Sequence, residues 1–286
     1  MENDLLNPVV ISYCNKYKSE NFENTRRFVE TLENNKWQYH ILGEGEIWKG
    51  FAYRMATYKN FLNTLHPNKI VVVSDAHDVY CLKNPDCLIS EFKNFNKGMI
   101  VGLELFAENS LVYDKNKDYF QVTWLGPYFK HNNIDYNQLL KPFVNAGLII
   151  GYAKDIINFY EWSLNNDYKD DQLALGAYMN AFPDKVYADL NSDMLHTTTA
   201  FINCGIQSRK QFYDSPCLNQ FIGQSSYFIH IPNIKGSKGQ EFLYNVIYEI
   251  LQLLNFNIIQ NIYPYYELSK FKNYYTYVDN SIDQYK

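Results

Sequence analysis

The sequence predicts an α/β protein built on a mostly parallel sheet flanked by helices, and three observations carry that prediction. Apolar and amphipathic segments alternate from the start: PVVISYC, the stretch 21–35, WQYHILG, the stretch 51–65, then KIVVVSD. Strand, helix, strand, helix, strand is the pattern of βαβ units. The β-branched run IVVV lacks the in–out alternation of a half-solvated strand, so helices are expected on both faces of the sheet. Finally, 286 residues at 47% hydrophobic content can bury a full core, and no linker or repeat divides them, so a single domain is expected over 1–286.

Further along, 84–95 reads as a helix behind a proline-containing turn, GMIVGLEL as a strand, and 106–141 as a long region without clean periodicity. Stretches that long are usually functional or mobile. VNAGLIIGYA reads as a strand, 154–166 as a helix, and 170–181 as a helix opened by acidic residues at its positive end. Short strands near Lys185, Thr198 and Ser226 and a helix over about 237–254 complete the expected core, with 255–286 as an irregular tail.

Composition narrows the function classes. The net charge is −5 and the 26 basic residues are scattered, so no polybasic run offers a footprint for nucleic acid. The longest apolar region, 242–263, is interrupted by Asn245, Glu249, Gln252 and Asn255, which suits an amphipathic helix and not a membrane span. The opening MENDLLNPVVISYC has no basic flank before its apolar stretch and does not read as a secretory signal, so a soluble, by default cytoplasmic, protein is expected. Five cysteines without a CxxC pair suggest neither a zinc site nor a complete disulfide framework. Aromatic content of 17% supplies rings that stack on sugars and bases, although a biased genome is the plainer explanation of such an excess.

Ligands of parallel sheets gather at the carboxyl ends of the strands, which directs attention to the residues just beyond Ser74. In VVVSDAHDVY, Asp75 ends a buried strand and Asp78 stands three residues later. Paired carboxylates suit hard divalent cations that also bind phosphates. A simple turn explains the same residues, because Asp is favoured in turns and at helix N-caps. An Asp-nucleophile phosphotransferase would place its second Asp two residues on, where His77 stands. His230 ends the apolar SSYFIH and leads into a loop with Asn233, Lys235, Gly236 and Lys238, so one strand could deliver a metal ligand and phosphate-binding groups together; a structural histidine is the plainer reading. In KDDQLALGAY, Asp170 and Asp171 start a helix, where they serve either as caps or as carboxylates facing a reacting sugar.

Taken together and in order, these segments resemble the glycosyltransferase domain of the procollagen lysyl hydroxylase family and related collagen glycosyltransferases. ILGEGEIWKG, VVVSDAHDVY, FVNAGLIIGYA, KDDQLALGAY and FIHIPNIKGSKG carry the resemblance, over about 8–242. It implies a GT-A fold: a Rossmann-like, mostly parallel sheet with a small mixed sheet, binding UDP at the strand ends. It further implies Asp75, Asp78 and His230 as Mn²⁺ ligands, and Trp48, Ser12 and His77 around the uridine, with His77 where the family has a Tyr. Arg54 would approach the donor in place of a Lys, and Asn233, Lys235, Gly236 and Lys238 would cradle the diphosphate. Asn145, Asp170 and Asp171 would act in catalysis, with Gln172 and Asp189 in the same cleft.

The implied reaction is metal-dependent transfer of glucose from UDP-glucose to galactosyl-hydroxylysine of collagen-like chains, with retention of the α configuration. The near alternative is transfer of galactose to hydroxylysine. A silent sugar-nucleotide or collagen-binding module is the alternative from another class, and the acids that such a module would have lost are present. The family's Trp shortly after GLELFAEN is absent, and Trp124 is the candidate to replace it.

Overall fold

The computed structural model describes residues 7–17, 23–107, 125–134, 140–197 and 226–232. In chain order its elements are β1 (Val9–Tyr13), α1 (Glu23–Asn34), β2 (Gln38–Leu42), α2 (Phe51–Leu62), β3 (Ile70–Ser74), β4 (Val79–Cys81), α3 (Leu88–Asn94) and β5 (Met99–Ala107). Next come α4 (Gly126–His131), β6 (Leu140–Tyr152), α5 (Ala153–Asn165), α6 (Asp171–Ala181), β7 (Val186–Ala188), β8 (Leu195–Thr197) and β9 (Phe228–His230). Six strands form one sheet in the order β2-β1-β3-β6-β5-β7, and three form a second in the order β4-β9-β8. This is the expected architecture of a large, mostly parallel sheet with a small mixed one beside it.

The strand sequences explain the layering. Along β1 and β3, Val9, Ile11, Val71 and Val73 point to one face and pack under α2, α5 and α6 through Met55, Tyr58, Phe159 and Leu175. Their neighbours Val10, Ile70 and Val72 point to the other, where Phe28, Leu32, Leu88 and Phe92 of α1 and α3 cover them together with Phe228 of the small sheet. Both faces are therefore apolar, as the uninterrupted IVVV run requires. Among the described residues, no helix is long and apolar enough to cross a membrane.

Two features position the cleft. Chain order runs from β1 out to β2 and then back across to β3 on the other side of β1, so the crossovers diverge between β1 and β3. That is the switch point at which open α/β sheets bind ligands. The second feature is β6, the single strand running against the other five of its sheet. An apolar run does not encode its direction. β6 is reversed because it pairs back along β5 from Ala107↔Leu140 onward. Its pairing jumps from Val101↔Ile149 to Gly102↔Asn145, so 146–148 bulge out of the ladder. Bulges re-aim side chains next to sites, and this one lies where β3 ends, opposite Ser74↔Leu148.

The expected helix over 84–95 starts later, at Leu88, after the Asn84–Pro85 turn in which the Asp86 N–H donates to Asn84 Oδ1. β4 and α4 had no clear periodicity to announce them, being three and six residues long. The helix expected over 237–254, the tail 255–286, Trp124 and the loop carrying Asn233, Lys235, Gly236 and Lys238 lie outside the described residues.

Candidate active site

Asp75 is the first residue beyond β3, and its N–H donates to the carbonyl of Gly147 in the bulge (2.9 Å). Asp78 precedes β4, which pairs antiparallel with β9 so that Val79 faces His230. The Ile231 N–H donates to the Asp78 carbonyl (2.8 Å), extending the β4–β9 ladder of the small sheet by one more bond. Backbone bonds thus bring three distant segments to one point. One ligand atom from each of Asp75, Asp78 and His230 lies within 4.8 Å of the other two, the spacing of a site for a divalent cation.

The tautomer of His230 follows from its neighbours. Asn145 Oδ1 accepts from the Gly147 N–H (2.9 Å), which fixes the orientation of the Asn145 amide. His230 Nδ1 lies 2.8 Å from the same oxygen, so Nδ1 must carry the proton that makes that bond. Nε2 is left facing the two aspartates, 3.3 Å from Asp78 Oδ1 and 3.8 Å from Asp75 Oδ2. It is buried and makes no hydrogen bond. Burial opposes charge on this ring, but the carboxylates of Asp78 and Asp75 push its pKa up. Positive charge at Nε2 is therefore what the site favours, and a cation there would find one imidazole nitrogen and two carboxylates. The residues fit a divalent metal.

Gly147 is required by this convergence. A Cβ built on it would stand 2.3 Å from His230 Cε1 and 2.8 Å from Asp75 Oδ2, closer than any side chain tolerates.

The acids of α6 join the same cleft. Asp170 caps the helix, accepting from the Leu173 N–H (2.9 Å), and Asp171 opens its first turn. Arg54 of α2 donates to Asp75 Oδ1 (2.6 Å) with one guanidinium nitrogen and to Asp171 Oδ2 with the other. Burial opposes the charge of Arg54, yet Asp171 and Asp75 hold its pKa well above the ordinary value. Burial raises Asp171, with the charge of Asp75 adding to it; against its own burial, Asp75 is lowered, chiefly by Arg54. Arg54 is thus the protein's own counter-ion to this acidic cluster. Arg54→Met is expected to destabilise the chelated protein by about 3–5 kcal/mol, since removing one partner strands buried charge. Denaturant titration checks this, and if the three residues hold a divalent cation, adding one should restore part of the loss in the variant.

The cleft has a volume of about 220 Å³ and is lined by Phe51, Arg54, Asp75, Asp78, Glu104, Asn145, Asp170, Asp171, Gln172 and His230, among others. Trp48, 45% exposed, does not line the cleft itself but packs edge-on against Phe51 of its lining (5.4 Å) and against Tyr13 (5.7 Å). Its loop is pinned across the end of β1: the Tyr13 hydroxyl donates to Glu46 Oε2 (3.0 Å) and Asn15 Nδ2 to the Glu46 carbonyl (3.0 Å).

Ser12, His77 and Asp189 are not among the residues that line this cleft. Ser12 is fully buried, donates to the Ser74 carbonyl (2.7 Å), and does not line the cleft. His77 is exposed beside Asp78, with Nδ1 2.9 Å from Thr25 Oγ1. Asp189 also lies outside the lining; its carboxylate accepts from the backbone N–H groups of Asp193, Met194 and Leu195 (2.7–2.8 Å) and shapes the turn into β8. Sequence reasoning missed Glu104, Gly147 and Phe51. A lone acid inside GMIVGLEL was the available signal for Glu104.

A carboxylate–imidazole cluster able to hold a divalent cation therefore stands at the switch point of an open α/β sheet. A family model described as the PLOD GT domain matches residues 17–230, and the chain belongs to that glycosyltransferase family. Among solved structures, the chain is similar to a glycosyltransferase involved in glycosylation of the major capsid of PBCV-1. That pair is 12% identical with a TM-score of 0.47, over 85% of this chain and 99% of the other. It is also similar to the galactosyltransferase LgtC in complex with donor and acceptor sugar analogs, at 13% identity and a TM-score of 0.42, over 85% and 95%. No curated protein matches the chain. The family match carries the assignment.

Proposed function

We propose that this glycosyltransferase moves glucose from UDP-glucose to galactosyl-hydroxylysine of collagen or a collagen-like polypeptide, with retention, in a Mn²⁺-dependent reaction. One observation carries the metal dependence: the buried His230 Nε2, without a hydrogen bond, faces Asp75 and Asp78. Those three residues would hold the cation, which when bound supplies Lewis-acid stabilisation of charge on the departing diphosphate. Family membership supports the sugar-nucleotide donor and the acceptor class.

The chain's own residues supply the rest. Trp48 and Tyr13 form an aromatic corner at the end of β1, suited to the flat face of uracil. His77 would flank that corner, and Asn233, Lys235, Gly236 and Lys238, just beyond Pro232 of the cleft wall, would take the diphosphate. Asp170 and Asp171 lie on the cleft wall, where their carboxylates would orient the acceptor hydroxyl and stabilise an oxocarbenium-like centre. Arg54 holds Asp171 in that place, and Asn145 holds His230.

The test is UDP release from UDP-glucose and from UDP-galactose, with and without a galactosyl-hydroxylysine peptide, in Mn²⁺ and in chelator. Acceptor-stimulated, Mn²⁺-dependent turnover with UDP-glucose is expected. Preference for UDP-galactose with a hydroxylysine acceptor would shift the reading to galactosyl transfer. Silence of folded protein in every condition would make it a binding module.

A further inference from the structure

The cleft wall contains one acid that the reaction as proposed leaves without a task. Glu104 lies on β5, two residues past the bulge partner Gly102, and is only 9% exposed. Carboxylates are rarely buried without a partner, and Glu104 has a specific one: its Oε1 accepts from Asn145 Nδ2 at 2.6 Å. The other end of that amide accepts the Gly147 N–H and the His230 Nδ1–H. The bonds run as a single file from a carboxylate, through an amide, to the imidazole whose far nitrogen faces Asp75 and Asp78.

We propose that Glu104 is a positioning residue for the cation site, acting through Asn145 to hold His230 with its Nε2 lone pair turned toward Asp75 and Asp78. The inference rests on the metal-dependent reading above. Its chemistry is that of outer groups which fix the tautomer and ring orientation of a metal-binding histidine. An intervening amide can do this because it is bipolar: its N–H end must find an acceptor so that its oxygen can stay on His230. Without Glu104, Asn145 Nδ2 is left buried with no acceptor at that position. Rotation of the amide would then trade the bonds to Gly147 and His230 for one elsewhere, and Nδ1 would lose the group that keeps its proton.

The side chain of Glu104 also faces the cleft, so the hydrogen-bonding role must be separated from a role of its charge. Glu104→Gln keeps a carbonyl oxygen for Asn145 and removes the charge. Glu104→Ala removes the acceptor, and Glu104→Met removes it while filling nearly the same volume.

The experiment is a titration of each purified full-length protein with Mn²⁺ in the absence of sugar nucleotide, following free Mn²⁺ by electron paramagnetic resonance, alongside melting curves in chelator. Wild type is expected to bind one Mn²⁺, Glu104→Gln to bind within about threefold of it, and both acceptor-less variants to bind roughly 10–100-fold more weakly. A variant with an unchanged melting temperature in chelator and weakened Mn²⁺ binding separates positioning from general destabilisation, and Met serves if Ala does not fold. Equal affinity of wild type and Glu104→Met overturns the relay and leaves the metal site standing. Equal weakening of the Gln and Met variants also overturns it, because charge and not the hydrogen bond would then be at work. Absence of Mn²⁺ binding by folded wild type overturns both this inference and the reading it rests on.

Discussion

Asp75→Asn is expected to lower UDP-sugar turnover by about a thousandfold or more, with the protein still folded. Lewis-acid stabilisation is worth several kcal/mol, and about 4 kcal/mol corresponds to roughly a thousandfold in rate. Of the three proposed ligands, Asp75 is the one whose loss is expected to do most damage because it serves three partners at once: it faces His230 Nε2, accepts from Arg54, and is tied by its backbone to the Gly147 bulge. The Asn keeps the backbone bond and an oxygen for Arg54, and Arg54 keeps Asp171, so little of the fold depends on the change. A second readout is independent of turnover. Mn²⁺ at about 100 times its Kd should stabilise wild type by about 2.7 kcal/mol, a rise of roughly 5–10 °C in Tm for a chain of this size class. The variant should show almost none of that rise. A variant that melts like wild type in Mn²⁺ and turns over within tenfold of it would remove Asp75 from the metal site.

How far the sequence could be read depended on the kind of information each feature carries. Segment type was legible where burial imposes a pattern. Uninterrupted β-branched runs gave β1 and β3, and Asp170 gave the start of α6 because a carboxylate that caps a helix must stand just ahead of it. Direction was not legible: FVNAGLIIGYA reads the same for a parallel or an antiparallel strand, and only its pairing with β5 reverses it. That Asp75, Asp78 and His230 would come together was legible only through order and resemblance, since the 152 positions from Asp78 to His230 conceal that β4 and β9 are neighbours. Contacts made by committed side chains were the least visible. Ser12 was expected at the base, yet its hydroxyl lies inside the sheet on the Ser74 carbonyl. Arg54 was expected to approach the donor, and the structure adds that it ties Asp75 to Asp171. Neither fact is encoded in local spacing, because each depends on where a second strand or helix ends.

Gly147→Ala is the other change from which a large effect is expected, although it adds a single methyl group and removes no functional one. The methyl would stand 2.3 Å from His230 Cε1, 2.7 Å from His230 Nδ1 and 2.8 Å from Asp75 Oδ2. Relief requires His230 and Asp75 to move apart or the bulge to shift, and neither is free. His230 is in β9 and bonded to Asn145, Asp75 N–H is bonded to Gly147 itself, and the bulge is clamped between β3 and β5. Overpacking of this kind costs about 1–3 kcal/mol of stability, which a fold of this size survives. The site does not, since a displacement of about 1 Å costs on the order of a hundredfold in rate. We therefore expect a folded protein whose Mn²⁺ affinity and turnover both fall by about a hundredfold, read by the same titration and UDP-release assay. The crowding falls on His230 and Asp75, so Glu104→Gln should neither add to the defect nor relieve it. A Gly147→Ala protein with wild-type Mn²⁺ affinity would mean that the cation is held somewhere other than between β3 and β9.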